Sequence, residues 1–582
     1  MADRPTFEIG LTMAGAVSAG AYTAGVIDFL FEALDAIEDV RAGRPTAHLT
    51  AGLSDEKSIV DPPHNVQLRA MSGTSAGSMV TAIVATILGT RVPPVTAERT
   101  ATQSGAVGNP LYDAWVEEIH YDKLLSTGDL VAGKHVLSVL NSEPLEQIVK
   151  ATLRYAEKSD YLRPYVADPV EIFFCVGNLR GVRYALDLNV GGEVPAEYQM
   201  SMHADRMEFR WSKAKMAEQP GAIALSPGAA PKGWKTLGDT ALASGAFPIG
   251  LSARALVRDF ADYERRKWFN VYSGKSEEFP PLDKSENFEG GKYKFVNADG
   301  GVFNNEPLEL CRTALAGESG RNPREPDQAT RAVVLVDPFP NLFALEEPFA
   351  TDTHRELLDV ARNLFSAMIS QARFKVDELA LASAPNVASR YAIMPVRYDD
   401  RDRRQQHAIA CGALGGFGGF LSKAFRHHDF MLGRRNCQRF LAAHFVLPAG
   451  AAANNLNPLF AEWPDDLREK FKVEGRDDPR YRFSGRLHLP IVPLLGKLAS
   501  PHYTTMPPWP AAPHDLTRAD LERQIIARAD ALKASLVAQY QPSSALQAGI
   551  SFYWWRKKKD WVDRFAIQRV KKDLDERGIR FS

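Results

Sequence analysis

Ser75 lies at the centre of Gly73-Thr74-Ser75-Ala76-Gly77, between the apolar run Val66-Gln67-Leu68-Arg69-Ala70-Met71 and a helix-compatible stretch over 78–88. This is G-x-S-x-G in a strand–turn–helix setting. There the serine occupies a strained turn, and glycines at 73 and 77 let strand and helix pass close together. A serine so placed can attack an acyl carbonyl, with the unpaired N–H groups of the following helix directed at the developing oxyanion. A glycine turn whose serine only caps the helix would use the same five residues. A second signal is needed.

Two further segments supply it. Gly15-Ala16-Val17-Ser18-Ala19-Gly20 places small residues between a first strand and a first helix. Such a loop brings backbone N–H groups close to a tetrahedral oxygen, although tight helix–sheet packing asks for the same residue types. Downstream, Lys294-Phe295-Val296-Asn297-Ala298-Asp299-Gly300-Gly301 sets a carboxylate at the end of an apolar strand, followed by two glycines. Asp-Gly-Gly taken alone reads as a turn.

Together, and in this order, the three segments resemble the patatin-like phospholipase family. That family has a G-G-G-x-R-G oxyanion loop before a helix containing Gly-Val, a G-x-S-x-G nucleophile and a D-G-G catalytic aspartate. The first block aligns without gaps on Gly15 to Gly20 and continues to Gly25-Val26. Ala243-Ser244-Gly245-Ala246-Phe247-Pro248 is similar to the family's A-S-x-A-x-P segment, and Asn304-Asn305-Glu306-Pro307 to its N-x-P ending. Ala16 and Val17 stand where the family has glycines, and Ala19 where it often has arginine. The resemblance runs over about 7–340, and 428–437 is reminiscent of longer bacterial patatin-like proteins.

The resemblance implies a lipid acyl hydrolase of the phospholipase A or lysophospholipase type, working through a Ser75–Asp299 dyad and an acyl-enzyme. Asp299 would take the serine proton directly, and the N–H groups of Gly15, Ala16 and Val17 would hold the oxyanion. The substrate would be a lipid ester, and neither metal nor organic cofactor is expected. Two rivals stand beside this reading. One is an α/β-hydrolase with a Ser-Asp-His triad drawing on His354, His407, His427, His428, His444, His488, His502 or His514. The other is a catalytically weak lipid-binding scaffold on the same fold.

The elements that must position these residues alternate along the chain. Short β-branched or aromatic runs at 6–12, 66–71, 170–176 and 332–336 are interleaved with helical patterns at 21–40, 75–89 and 356–381. That alternation predicts an α/β fold with a mostly parallel central sheet flanked by helices on both faces. Segments 171–178 and 181–188 read as two strands about a Gly/Asn turn. The expected organisation is a patatin-like catalytic domain over 1–345, a mainly helical extension over 346–505 packed on it, a Pro-rich linker over 506–514 and a C-terminal helical appendage over 515–582. Thr517-Arg518-Ala519-Asp520 fits a capping box opening a helix to about Tyr540.

The 582 residues are 45% apolar, enough to bury one large core or two smaller ones. Lys plus Arg (70) balances Asp plus Glu (71), which argues against nucleic acid as a partner. Cys175, Cys311, Cys411 and Cys437 lack zinc spacing and read as buried, reduced thiols. No secretory signal or membrane-spanning helix is evident, so a cytoplasmic location is expected, with peripheral membrane association left open. Phe552-Tyr553-Trp554-Trp555-Arg556-Lys557-Lys558-Lys559 combines interfacial aromatics with cations as a peripheral membrane contact would, while a packed helix with a solvated basic face is the plainer reading. Gly412 to Phe420 has the glycine content of a phosphate loop without its lysine, so a packed or mobile apolar loop is expected there. His427-His428-Asp429 lacks a zinc signature and reads as surface or cap.

Overall fold

The computed structural model describes residues 4–50, 59–103, 105–131, 133–188, 196–217, 219, 221–270, 275–317, 320–339, 360, 367, 371, 384, 387–399, 401–450, 456–473 and 487–581. The expected helix over 356–381 falls largely outside them, as does His354.

Nine strands form the main sheet among these residues. They are β1 (Thr6–Met13), β2 (Asn65–Gly73), β3 (Val166–Leu188), β4 (Ala196–Trp211), β5 (Ile223–Leu225) and β6 (Arg254–Asp259), then, after a separate hairpin β7 (Lys267–Asn270) and β8 (Lys275–Glu278), β9 (Lys292–Asp299), β10 (Arg331–Val336) and β11 (Arg390–Ile393). Their order is β11-β10-β1-β2-β3-β4-β5, with β9 pairing β3 and β6. The five strands from β11 to β3 run parallel to one another, whereas β4 and β9 are antiparallel to β3. The chain is therefore α/β with a mostly parallel central sheet, as its alternating pattern predicts.

The helices that matter for the site are α1 (Gly20–Arg41), α2 (Ala76–Ile87), α3 (Glu143–Leu153), α4 (Pro231–Ser244), α5 (Leu308–Ala316), α6 (Lys423–Ala443), α7 (Arg518–Tyr540), α8 (Ser544–Val562) and α9 (Gln568–Glu576). They cover both faces because alternate residues of a strand point to opposite sides. Val333 and Leu335 of β10 join Leu308, Cys311 and Leu315 of α5 in one cluster. Val334 and Val336 belong to the larger core that contains α1 and α6. That larger core runs without interruption from Phe7 to Ile579, so the C-terminal helical region shares the hydrophobic core of the sheet.

Helices α1 and α6 lie nearly backbone to backbone. A Cβ on Gly25 would sit 1.9 Å from the Phe430 carbonyl oxygen, and one on Gly433 would sit 2.1 Å from that of Tyr22. The buried guanidinium of Arg434 pairs with Asp28 and Glu32 across the same contact. The Gly25 of the resemblance block thus has a packing reason, and its partner comes from the C-terminal region.

Two expectations are corrected. The two strands read over 171–188 are one strand, β3, because β4 pairs with it on both sides of a bulge between Gly177 and Val182. Gly181 takes φ 77° there, and the Asn178 side chain accepts the N–H groups of Arg180 and Gly181. His428 and Asp429 are buried rather than superficial. Asp429 receives the N–H groups of Ala410 and Cys411 at 2.9 and 2.8 Å and so anchors the start of the glycine-rich loop. Among the described residues one helix, Val17–Arg41, is long and apolar enough to cross a membrane, but 89% of its most apolar window is buried inside the protein. All four cysteines are buried and outside any disulfide.

Segment 506–514 is tied down at Trp509. Its indole N–H donates to Arg577 O at 3.1 Å, and its ring lies under the Arg397 guanidinium. Thr517 caps α7 through the Asp520 N–H, as its sequence predicts.

Candidate active site

Strands β1 and β2 are parallel neighbours in register, with Met13 opposite Gly73, so the loops that follow them leave the sheet side by side. In open parallel sheets this carboxyl-terminal edge is where ligands bind. Ser75 sits at the turn from β2 into α2 with φ 52° and ψ −124°, a conformation that costs about 1–3 kcal/mol and is held by its surroundings. Gly73 and Gly77 are needed by close approach. A Cβ at 73 would meet Gly77 O at 2.6 Å, and one at 77 would meet Met13 O at 2.0 Å.

The hydroxyl of Ser75 donates to Asp299 Oδ2 at 2.6 Å. β2 and β9 use the same edge of β3 from opposite directions, which brings the two residues together. Gly73 is paired with Phe174, and Asp299 with Val176, only two residues further along β3. The other carboxylate oxygen of Asp299 accepts the Gly301 N–H at 2.7 Å. Gly300 packs its α-carbon against β3, where a Cβ would lie 2.3 Å from Cys175 O. Asp299 is 4% exposed. Burial raises its pKa to about 6, against the opposing pull of the Ser75 hydroxyl and the Gly301 N–H.

The glycine-rich loop lies against this pair. A Cβ on Gly15 would fall 3.3 Å from Ser75 Cβ and 2.3 Å from Asn305 Oδ1. The Gly15 N–H donates to Asn305 O at 3.1 Å, so it is already engaged. Among the described residues the N–H groups of Ala16 and Val17 donate to no protein acceptor, leaving two open donors where three are expected. Val17 has φ 47°, a left-handed conformation that a β-branched residue rarely adopts. The neighbouring Ser18 helps to hold it, its hydroxyl donating to Gly416 O and accepting the Gly419 N–H.

Two residues from the other resemblance blocks take definite positions. Ser244 Oγ accepts the Ser75 N–H at 2.9 Å and donates to Cys175 O at 2.6 Å, fixing the backbone of the elbow to β3. Asn305 bridges Gly15 through its backbone and its side chain, and its Oδ1 would lie 2.8 Å from a Cβ on Gly301. Thr74 Oγ1 donates to Asn304 O at 2.8 Å. The elbow, the glycine loop and the Asp-Gly-Gly turn are thereby bound to one another.

Ser75 and Asp299 open into a narrow apolar cleft, lined among others by Val17, Met79, Trp115, Leu140, Phe247 and Phe417. A second small apolar cavity lies beside it between α2, α3 and α4. Met79, Trp115, Ile119 and Leu145 line both, so these side chains form the partition between the cleft and the cavity. Trp115 comes from a π-helical turn over Asp113–Glu118, a distortion frequent at functional sites. Sequence reasoning missed the cleft lining. Only the Gly-Gly-Phe-Gly-Gly-Phe pattern of 415–420 marks it, since the paired glycines let Phe417 and Phe420 reach the cleft over Val17.

No described histidine bonds to Ser75 or Asp299. His427 pairs with the Tyr112 hydroxyl at 2.9 Å and His428 with Asp429 at 2.8 Å. Among the described residues no group of three His, Cys, Asp or Glu side chains could hold a metal ion.

The fold and this pair define an α/β protein with a buried Ser–Asp contact on a strand-to-helix turn. No family model matches the chain. It is 35% identical over 596 residues to a protein of Sinorhizobium fredii (strain NBRC 101917 / NGR234) whose name is "Uncharacterized protein y4iI", a match covering 94% of this chain and 79% of that one. The chain belongs to the same family as y4iI.

Proposed function

We propose that the protein is a lipid acyl hydrolase on a patatin-like fold, cleaving carboxylic esters through Ser75 and Asp299. One observation carries the reading: a serine hydroxyl on a strained elbow, 2.6 Å from a buried carboxylate, at the head of an apolar cleft. A serine is a weak nucleophile until a base accepts its proton, and a base works best with a pKa near the working pH. Asp299, raised to about 6, meets that requirement without an imidazole.

In the first step Ser75 Oγ attacks the ester carbonyl carbon as its proton passes to Asp299. The open N–H groups of Ala16 and Val17, with the amino end of α2, hold the oxyanion. Collapse breaks the ester C–O bond, and the leaving alcohol takes the proton back from Asp299. A water then attacks the acyl-enzyme with Asp299 as base, releasing the fatty acid and restoring Ser75. The acyl chain occupies the cleft and the cavity beside it.

Product analysis on phospholipid, lysophospholipid and neutral glyceride esters tests this. Wild type is expected to release free fatty acid, and Ser75→Ala and Asp299→Ala to lose turnover by at least about a thousandfold. Retained turnover in either folded variant rules out the role assigned to it.

A further inference from the structure

Helices α7 and α8 form a hairpin that buries Leu521 and Val562 at one end. Along its middle the contacts are polar: Trp554 Nε1 and Lys558 Nζ both donate to Asp530 of α7, at 2.6 and 2.7 Å. The large aromatics of α8 face out instead, with Phe552, Tyr553 and Trp555 exposed at 61%, 65% and 73%. Arg556, Lys557 and Lys559 are exposed among them. Phe552, Trp555 and Lys559 follow the three-and-four spacing of one helical stripe, and the first two rings are 6.3 Å apart. A helix folded onto a core does the opposite, turning aromatics in and ions out.

The hairpin is fastened to the rim of the Ser75 cleft. Arg528 of α7 donates to Ser126 O at 2.6 Å and Val139 O at 2.8 Å, and pairs with Asp129. Gln539 accepts the Val136 N–H at 3.0 Å. The loop so gripped runs from Leu124 to Leu140, both of which line the cleft. It exposes Leu137 and Val139, and Val139 is hydrogen-bonded to the exposed Ile249.

We propose that this hairpin and the adjoining rim dock the protein on an anionic phospholipid bilayer. Aromatic rings suit the headgroup layer, and the cations meet anionic headgroups. The exposed aliphatics of the rim have a use against acyl chains and none against a polyanion. With a formal net charge of −1 the attraction is local to this hairpin. Docking stands apart from the proposed chemistry; only its use in delivering ester to Ser75 rests on that reading.

The test is co-flotation of the full chain carrying Ser75→Ala, so that no lipid is consumed. Vesicles are of phosphatidylcholine alone, or of equal parts phosphatidylcholine and phosphatidylglycerol. The protein is expected to float with the anionic vesicles and more weakly with the neutral ones. Substituting Arg556, Lys557 and Lys559 by Gln lowers anionic partitioning about a hundredfold, roughly fivefold for each cation. Phe552→Ser with Trp555→Ser lowers partitioning on both vesicles. All these positions are exposed, so thermal melting is expected to stay at the parent value. Absence of flotation, or equal flotation by these variants, overturns the proposal. So does a dimer in sedimentation that Trp555→Ser dissociates, which would make the face a contact between copies. Failure of the chemistry reads differently: no ester hydrolysis by the Ser75 protein, with flotation intact.

Discussion

Ser75 and Asp299 are 224 residues apart in the chain, yet their side-chain oxygens meet at 2.6 Å. β3 makes the meeting. It offers one edge first to β2, arriving parallel, and then to β9, arriving antiparallel, so that the ends of both face each other. The geometry therefore depends on the length of β3, and on the bulge at Gly177 that lets β4 follow it along the other edge.

Asp299 must be ionised to accept a proton, and burial holds its pKa at about 6. The value of kcat/KM on a soluble ester is expected to rise about tenfold per pH unit below that point and to level off above it. Steady-state rates across the acid limb measure this. The same inflection persisting in the residual activity of Asp299→Asn would assign it to another group.

The same shift makes Asp299 a cost to stability. Its folded pKa, about 6, lies above its ordinary 3.8, so the folded state favours the protonated acid. Its contribution is most favourable below 3.8 and is lost as pH rises to about 6. Above that window Asp299→Asn is expected to be more stable than wild type by about 2–3 kcal/mol, and in stronger acid the two converge. Denaturant titration at both ends of the window checks the sign.

Ser244 touches no reacting atom in the proposed scheme but holds the Ser75 N–H at 2.9 Å. Ser244→Ala leaves that buried donor without a partner, at about 1–3 kcal/mol of stability. A displaced elbow is expected to lower kcat by about tenfold or more with KM on a short ester unchanged. Kinetics beside a melting curve separate the two effects, and unchanged kcat would reduce Ser244 to packing.

Much of this site is legible in the sequence because its parts are backbone devices with strict demands. Gly73 and Gly77 stand out in the sequence because no side chain fits where β2, α2 and β1 converge. Asp299-Gly300-Gly301 reads as a strand-end carboxylate for a similar reason, Gly300 lying on Cys175 O. The cleft was not legible. Its lining comes from Met79, Trp115, Leu140 and Phe417, apolar residues that local periodicity cannot distinguish from ordinary core. The bulge in β3 was misread as a turn because Asn178 and Gly181 suit both, and only the partner strand decides. His428 and Asp429 are met by the Trp509 ring and by the backbone of Ala410 and Cys411, partners brought in from outside the helix that local pattern does not show.

On the proposed function, the cavity beside the cleft is expected to set a length limit for an acyl chain. Gly238 and Ala241 line it without lining the Ser75 cleft, and a Cβ on Gly238 would press on Val149 Cγ1 at 2.6 Å. Ala241→Leu is expected to lower kcat/KM for long-chain esters by about tenfold and spare short-chain ones, with a packing cost of about 1–3 kcal/mol. A chain-length series on the same headgroup reads the shift, and a parallel loss at every length would place the acyl chain elsewhere.

The most direct measurement is peptide mapping by mass spectrometry after exposure to a fluorophosphonate, with ester hydrolysis followed on the same sample. One adduct on Ser75 is expected, with activity falling in step with its occupancy and labelling slowed in Asp299→Asn. An unmodified Ser75 beside a fully inactivated enzyme, or full turnover with Ser75 blocked, would contradict the nucleophile assigned here.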